Sequence, residues 1–246
     1  MTEQTITDFN QYLRDAAAAG DRKAVVKALH NGANINAQNE DGETALHLAV
    51  KNRDDAMAAD LLKRRADPNI GDKNGDTPLF YAARSGEAGI VKLLLQYKAD
   101  PDHLNAGGST ALIHTAHNDH AECCDLLLKY MTQYDVSHQN GCGNTAVMTA
   151  VLSGRTEALA VLLKYDPDLS LCDDSGRDAF QLGTQFDMLD GYTMLIDFKE
   201  GRIAKTGQEE RKKARAEFAQ AQGKQKQQQH DSRRLRHTAL RNYLRR

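Results

Sequence analysis

The chain has 246 residues and no tryptophan, with 27% charged residues and a formal net charge of −2. No apolar run is long enough to suggest a membrane span, and Met1-Thr2-Glu3-Gln4 lacks the basic and apolar regions of a secretory leader. Four cysteines, two of them adjacent (Cys123-Cys124), make no disulfide framework, so a reducing, cytoplasmic setting is expected.

Residues 1–12 read as an N-terminal arm. From Leu13 the chain shows Ala16-Ala17, Gly20, Val25-Val26, Leu29, Gly32 and Ala33-Asn34-Ile35-Asn36, apolar and small residues at helical spacing broken by glycines. A sharper pattern follows four times: Gly42-Glu43-Thr44-Ala45-Leu46, Gly75-Asp76-Thr77-Pro78-Leu79, Gly108-Ser109-Thr110-Ala111-Leu112 and Gly143-Asn144-Thr145-Ala146-Val147. Their threonines are 33, 33 and 35 residues apart, the last interval holding two extra residues between Tyr130 and Asp135. Such a period means a stack of small units, each completing its core against the next. A last unit keeps Gly176 but has Asp178 in place of Thr, then Ala179-Phe180 and one helix-like stretch from Phe186 to Phe198.

Within each copy the Gly suits a turn with positive φ, and the Thr suits a helix N-cap. Pro78 sits where a first-turn N–H has no partner. Leu46, Ala49 and Leu61-Leu62, with Leu79, Ala82 and Leu93-Leu94, recur at helical spacing and form the expected core. Tyr97, Tyr130 and Tyr165 follow the leucine pairs at one repeat position; packing between repeats is the favoured reading, an interface ladder the other.

The pattern Asp-x-x-Gly-x-Thr-Ala/Pro-Leu, then Ala-Ala-x-x-Gly, Val-x-x-Leu-Leu and Ala-Asp-x-Asn resembles the ankyrin repeat, most closely over Gly75 to Asn105. The resemblance covers roughly Leu13 to Tyr192. It implies an all-α solenoid of about six units over residues 13–198, each an inner helix, an outer helix and a hairpin-like loop, with the terminal units degenerate. It further implies a partner protein held on the hairpin tips and the exposed, concave side of the inner helices. By register the tips are Glu40, Asp41, Glu43, Lys73, Asn74, Asp76, Ala106, Ser109, Cys142 and Asn144. The inner-helix positions are Lys51, Asn52, Arg84, Ser85, His117, Asn118, Leu152 and Ser153. Acidic residues crowd the N-terminal tips (Glu40, Asp41, Glu43, Asp72, Asp76), so a partner basic at that end is expected.

Chemistry finds little support. His114, His117, His120 and Cys123 fall at three-residue steps, but that series drifts around a helix and crosses a helix break, so no metal site is expected. The four cysteines read as buried small apolar residues. No phosphate-binding glycine loop, nucleophile elbow or metalloprotease helix occurs, which leaves neither an enzyme nor a cofactor or small-molecule substrate as the expectation.

From Lys199 onward the chain carries 15 Lys+Arg against 5 Asp+Glu, a net of +10, and the part before it a net of −12. Residues 208–222 read as a helix and 223–230 as a linker. Asp231-Ser232 can cap a final amphipathic helix bearing Arg233, Arg234, Arg236, Arg241, Arg245 and Arg246. This basic tail at 199–246 is expected to localise or regulate the repeat domain, in one version by folding back on its acidic face. Two further readings stay open: an adaptor binding nucleic acid or anionic membrane through the tail, and a secreted bacterial effector.

Overall fold

The computed structural model describes residues 3–132 and 135–201. The expected tail helices, the linker and the six tail arginines lie outside the described residues. Among the described residues twelve α-helices form six pairs. These are α1 (Glu3–Ala18) with α2 (Arg22–His30), α3 (Ala45–Lys51) with α4 (Asp55–Lys63), and α5 (Pro78–Ser85) with α6 (Ala88–Gln96). They continue with α7 (Ala111–His117) and α8 (Ala121–Tyr130), α9 (Ala146–Leu152) and α10 (Thr156–Leu163), and α11 (Ala179–Gln185) and α12 (Leu189–Lys199). The odd-numbered helices pack in series as an inner row, and α4, α6, α8, α10 and α12 as an outer row.

The core repeats with the sequence. Each middle outer helix buries one quartet: Met57, Ala58, Leu61 and Leu62; Ile90, Val91, Leu94 and Leu95; Cys123, Cys124, Leu127 and Leu128; Ala158, Leu159, Leu162 and Leu163. Facing them are small inner-helix residues such as Ala45, Ala49, Ala82, Ala83, Ala116 and Ala150, which let paired helices approach closely. Tyr97 and Tyr130 pack on this core and Tyr165 is buried in it, donating its hydroxyl to Asp125 at 2.7 Å. The packing reading of the tyrosines therefore holds.

The helix starts follow the cap residues unevenly. Thr44 and Thr145 accept the backbone N–H of His47 and Met148, while Thr77 and Thr110 make no such bond. Asp178 forms a two-sided capping box, as Thr44 does with His47: it accepts from Gln181 N at 2.8 Å, and the Gln181 side chain accepts from Asp178 N at 2.9 Å. Every helix pair turns with positive φ at its inner corner, on Gly20, Arg53, Gly86, Asp119, Gly154 and Asp187. At Gly86 a Cβ would also sit 2.5 Å from the His120 ring of the next pair, so only glycine fits there.

Three expectations need correction. The stretch from Phe186 to Phe198 is not one helix, because Asp187 takes a φ of 55° and α12 begins at Leu189. Residues 3–12, read as an arm, are the first turns of α1, which runs through the expected boundary at Leu13. Cys142 and Cys172 are exposed on hairpins, whereas Cys123 and Cys124 are buried, and burial pushes their thiols up to about 11 and about 12.

Between the pairs, five hairpins project to one side, each closed by the same device. Asn39, Asp72, Asn105, Asn140 and Asp173 each donate a backbone N–H to the carbonyl four residues on, and their Oδ1 atoms accept the N–H groups two and four residues ahead. Adjacent hairpins are joined by one main-chain bond each: Lys73 N to Asp41 O, Ala106 N to Asn74 O, Gly141 N to Gly107 O and Asp174 N to Cys142 O, at 2.8–3.2 Å. Gly42 allows this approach, since a Cβ there would lie 2.7 Å from Lys73 N.

Candidate partner-binding face

The hairpins and the C-terminal ends of the inner helices share one face, and the period places equivalent side chains along it in rows. One row is the residue just before each N-cap: Glu43, Asp76, Ser109, Asn144 and Arg177. Eight residues further on, at the helix end or one residue before it, stand Lys51, Arg84, His117, Leu152 and Gln185. In the second and third pairs these rows meet as ion pairs, Lys51 Nζ with Glu43 Oε1 at 2.6 Å and Arg84 Nη2 with Asp76 Oδ2 at 3.4 Å.

Glu43, Asp76 and Ser109 are therefore not exposed tips. The Glu43 and Asp76 side chains fold back against the helix ends and are only 9% and 8% exposed against 42% and 44% for Lys51 and Arg84, and Ser109 is buried. Of the other expected residues, Glu40, Asp41, Lys51, Asn52, Lys73, Asn74, Arg84, Ala106, His117 and Cys142 are exposed. Ser85, Asn118, Asn144, Leu152 and Ser153 are half-buried. Asn52 and Asn118 terminate helices, donating their side-chain N–H to Ala18 O at 2.8 Å and His114 O at 2.9 Å.

Tyr81 organises the charged region. Its hydroxyl donates to Asp72 Oδ2 at 2.6 Å, Lys51 Nζ lies 5.3 Å and the Arg84 guanidinium carbon 4.8 Å from its ring centre, and the His47 ring meets it edge-on. Asn39 Nδ2 donates to Glu43 Oε2 at 3.2 Å and Asn105 Nδ2 to Asp76 Oδ1 at 2.9 Å. Burial alone would raise the Glu43 and Asp72 carboxyls, but hydrogen bonds from Lys51 and Asn39 to the first, and from Tyr81 and the turn N–H groups to the second, hold both below their ordinary values. Burial and the Asp72 carboxylate push the Tyr81 phenol up.

Histidines contribute ties between repeats that the sequence motifs did not announce. His47 Nδ1 accepts from Thr44 N at 3.1 Å, which leaves Nε2 to donate to Asp76 O at 3.1 Å in the next hairpin. His103, His120 and His138 each place Nε2 2.9–3.0 Å from a backbone carbonyl of the preceding repeat, on Gly75, Arg84 and Gly108. Burial lowers the His47 and His114 imidazoles, keeping both neutral. His114 packs edge-on against Phe80, His117 faces Ser153 Oγ at 2.9 Å, and His120 lies on the Arg84 carbonyl. These imidazoles point to different neighbours, and among the described residues no three His, Cys, Asp or Glu side chains gather to hold a metal.

Beyond Arg84 the face loses its charge. Ser109 and His117 follow at the equivalent positions, then Asn144 and Leu152, and Thr110 Oγ1, His114 Nε2 and Asn144 Oδ1 are buried without a hydrogen-bond partner. In the last pair Arg177 turns onto its own hairpin, bonding Asp173 Oδ2 at 2.7 Å and lying over the Phe186 ring. No helix among the described residues is long and apolar enough to cross a membrane.

Comparison with known proteins agrees with this architecture. A family model described as ankyrin repeats (3 copies) matches residues 13–105 and 89–173. A crystal structure of an ankyrin repeat domain from Acinetobacter baumannii AYE superposes with a TM-score of 0.69 at 29% identity, covering 76% of this chain and 97% of that one. A second solved ankyrin repeat protein gives a TM-score of 0.70 with the same identity and coverage. An L-asparaginase of Dirofilaria immitis is 48% identical over 52 residues, a stretch amounting to 21% of this chain and only 9% of that enzyme.

Proposed function

Because the chain belongs to the ankyrin-repeat family, we propose that it is a non-enzymatic binding module that displays a rigid face to a partner protein. The observation that carries this reading is the unbroken main-chain ladder between hairpins, at 2.8–3.2 Å in every junction, which fixes the exposed side chains of successive repeats in line. Exposed Glu40, Asp41, Lys73, Asn74, Lys51, Arg84 and His117, with half-buried Leu152, form the contact row on that face. A partner basic at the N-terminal tips meets Glu40 and Asp41; Glu43, Asp72 and Asp76 are already occupied internally. The basic tail localises or regulates the module. The asparaginase match brings no activity with it, since 52 residues span less than two repeats of this chain.

The test is affinity capture by the full chain and by Asn74→Arg/Ala106→Glu/Leu152→Glu, three substitutions on the hairpin and inner-helix face, with circular dichroism confirming an unchanged fold. Partners held by the parent chain and released by the triple variant support the reading; equal capture moves the interface to another face. Replacing the six tail arginines by glutamine, with capture unchanged but cellular distribution altered, assigns the tail to localisation.

A further inference from the structure

The charged region around Tyr81 has a one-sided hydrogen-bonding capacity. Both Glu43 oxygens are taken, by Lys51 and Asn39, and both Asp76 oxygens, by Arg84 and Asn105. Asp72 spends Oδ1 on two backbone N–H groups of its turn and Oδ2 on Tyr81. The exposed partners of these pairs are far from saturated: an ammonium has three N–H donors and a guanidinium five, and each uses one here. What faces solvent is thus a set of donors, held in place from below by carboxylates and alongside by an aromatic ring.

We propose, building on the binding role above, that Lys51 and Arg84 capture an acidic segment of the partner protein, lying extended along the stack with two carboxylates three residues apart. The spacing follows from the repeat. Lys51 and Arg84 are equivalent residues of adjacent inner helices, whose axes in packed pairs are about 8–10 Å apart. A segment in the extended polyproline II form rises about 3.1 Å per residue with about three residues per turn, so side chains three residues apart cover that distance and point to the same face. Lys51 and Arg84 are both ordered against Tyr81, which lessens the side-chain entropy lost on binding. Three carboxylates (Glu43, Asp72, Asp76) behind two cations leave the cluster with a net negative charge. That weakens long-range attraction for any anion and most for a densely charged nucleic-acid backbone, so capture of a carboxylate pair rests on the short-range outward N–H donors of Lys51 and Arg84. Towards the C-terminal end the row passes to His117 and then Leu152, so the segment's apolar residues lie beyond its acidic pair.

The test uses a displayed library of random 12-residue peptides, panned on the full chain. Selected peptides are expected to carry Asp or Glu pairs at i and i+3, and to bind Lys51→Gln/Arg84→Gln at least tenfold more weakly. Lys51→Arg/Arg84→Lys keeps the donors and is expected to retain most of the binding, which separates recognition from misfolding. Peptides without acidic enrichment, or acidic peptides indifferent to the glutamine pair, overturn the proposal. Peptides released by Leu152→Glu but not by the glutamine pair overturn it too while leaving the binding face intact. Binding of a 20-nucleotide single-stranded DNA that is lost in the glutamine pair overturns it in favour of phosphate recognition.

Discussion

The second and third helix pairs and the fourth and fifth share a backbone and differ on one face. At the position before the N-cap the first two have Glu43 and Asp76, each tied to the cation at the helix end; the next two have Ser109 and Asn144, followed by His117 and Leu152. Underneath, the outer-helix quartets are buried alike in all four pairs. The contrast teaches that the scaffold does not depend on the ion pairs. A stack can spend one set of positions on architecture and leave another to vary, and here the variation divides the face into a polar, donor-rich half and a less charged half.

Several measurements break or sharpen that contrast. The largest effects belong to what the halves share: Leu94→Ala and Leu162→Ala remove equivalent, fully buried side chains and are each expected to cost about 2–5 kcal/mol in urea denaturation. A marked inequality between them means that the two halves differ below the surface as well. Next comes the row before the N-caps. Asp76→Ala strands Asn105 Nδ2 and the Arg84 pairing and is expected to cost about 1–3 kcal/mol. Asn144→Ala, which deletes a buried oxygen without a partner, is expected to stay within about 0.5 kcal/mol.

Acid weakens both halves in the same direction, through different groups. His47 is held neutral by burial, so the unfolded chain takes up the proton more readily, and its contribution is complete above the ordinary histidine value of 6.5 and is lost as pH falls below it. Glu43 and Asp72 act in the same sense lower down, their contribution present above the ordinary carboxylate range and lost as pH falls through their depressed values. His47→Phe, copying Phe80 at the equivalent position, is expected to flatten the fall in thermal midpoint between pH 6.5 and 5 (about the range over which an ordinary imidazole gains its proton). His114, buried neutral in the fourth pair, supplies the slope that remains. An unchanged slope in His47→Phe/His114→Thr removes both imidazoles from the account. The smallest effect is expected at the exposed tip, where Asp41→Ala stays within about 0.5 kcal/mol.

The threonine period made the stacked units and the glycine turns legible, because backbone conformation at Gly42, Gly75, Gly108, Gly143 and Gly176 follows directly from residue type, and the ankyrin resemblance supplied the helix pairs and hairpins. The direction of the side chains beside those glycines was not legible. Glu43 looks like a surface residue until the turn geometry aims it at Lys51, although the eight-residue step shared by Glu43–Lys51 and Asp76–Arg84 was a usable signal. His47, His103 and His138 went largely unread for another reason: their partners are carbonyl groups, which carry no mark in a string of side chains, whereas His120 stands where the family usually has a histidine. Asp187 misled more simply, since a residue other than glycine in the left-handed region interrupted a stretch whose apolar spacing favoured one helix.

The four bonds that join the hairpins are donated by Lys73, Ala106, Gly141 and Asp174, residues with nothing in common but their N–H. The donor side of the junction is therefore indifferent to side-chain chemistry, while the glycine after each acceptor is not. In evolutionary terms the row can be rewritten one residue at a time without disturbing the alignment, and whole repeats can be gained or lost as units of about 33 residues. The two-residue lengthening between Tyr130 and Asp135 is a record of that tolerance. It falls after an outer helix, and the next junction, Gly141 to Gly107, still closes at 2.8 Å. The exposed row can therefore change while the main-chain alignment beneath it stays the same.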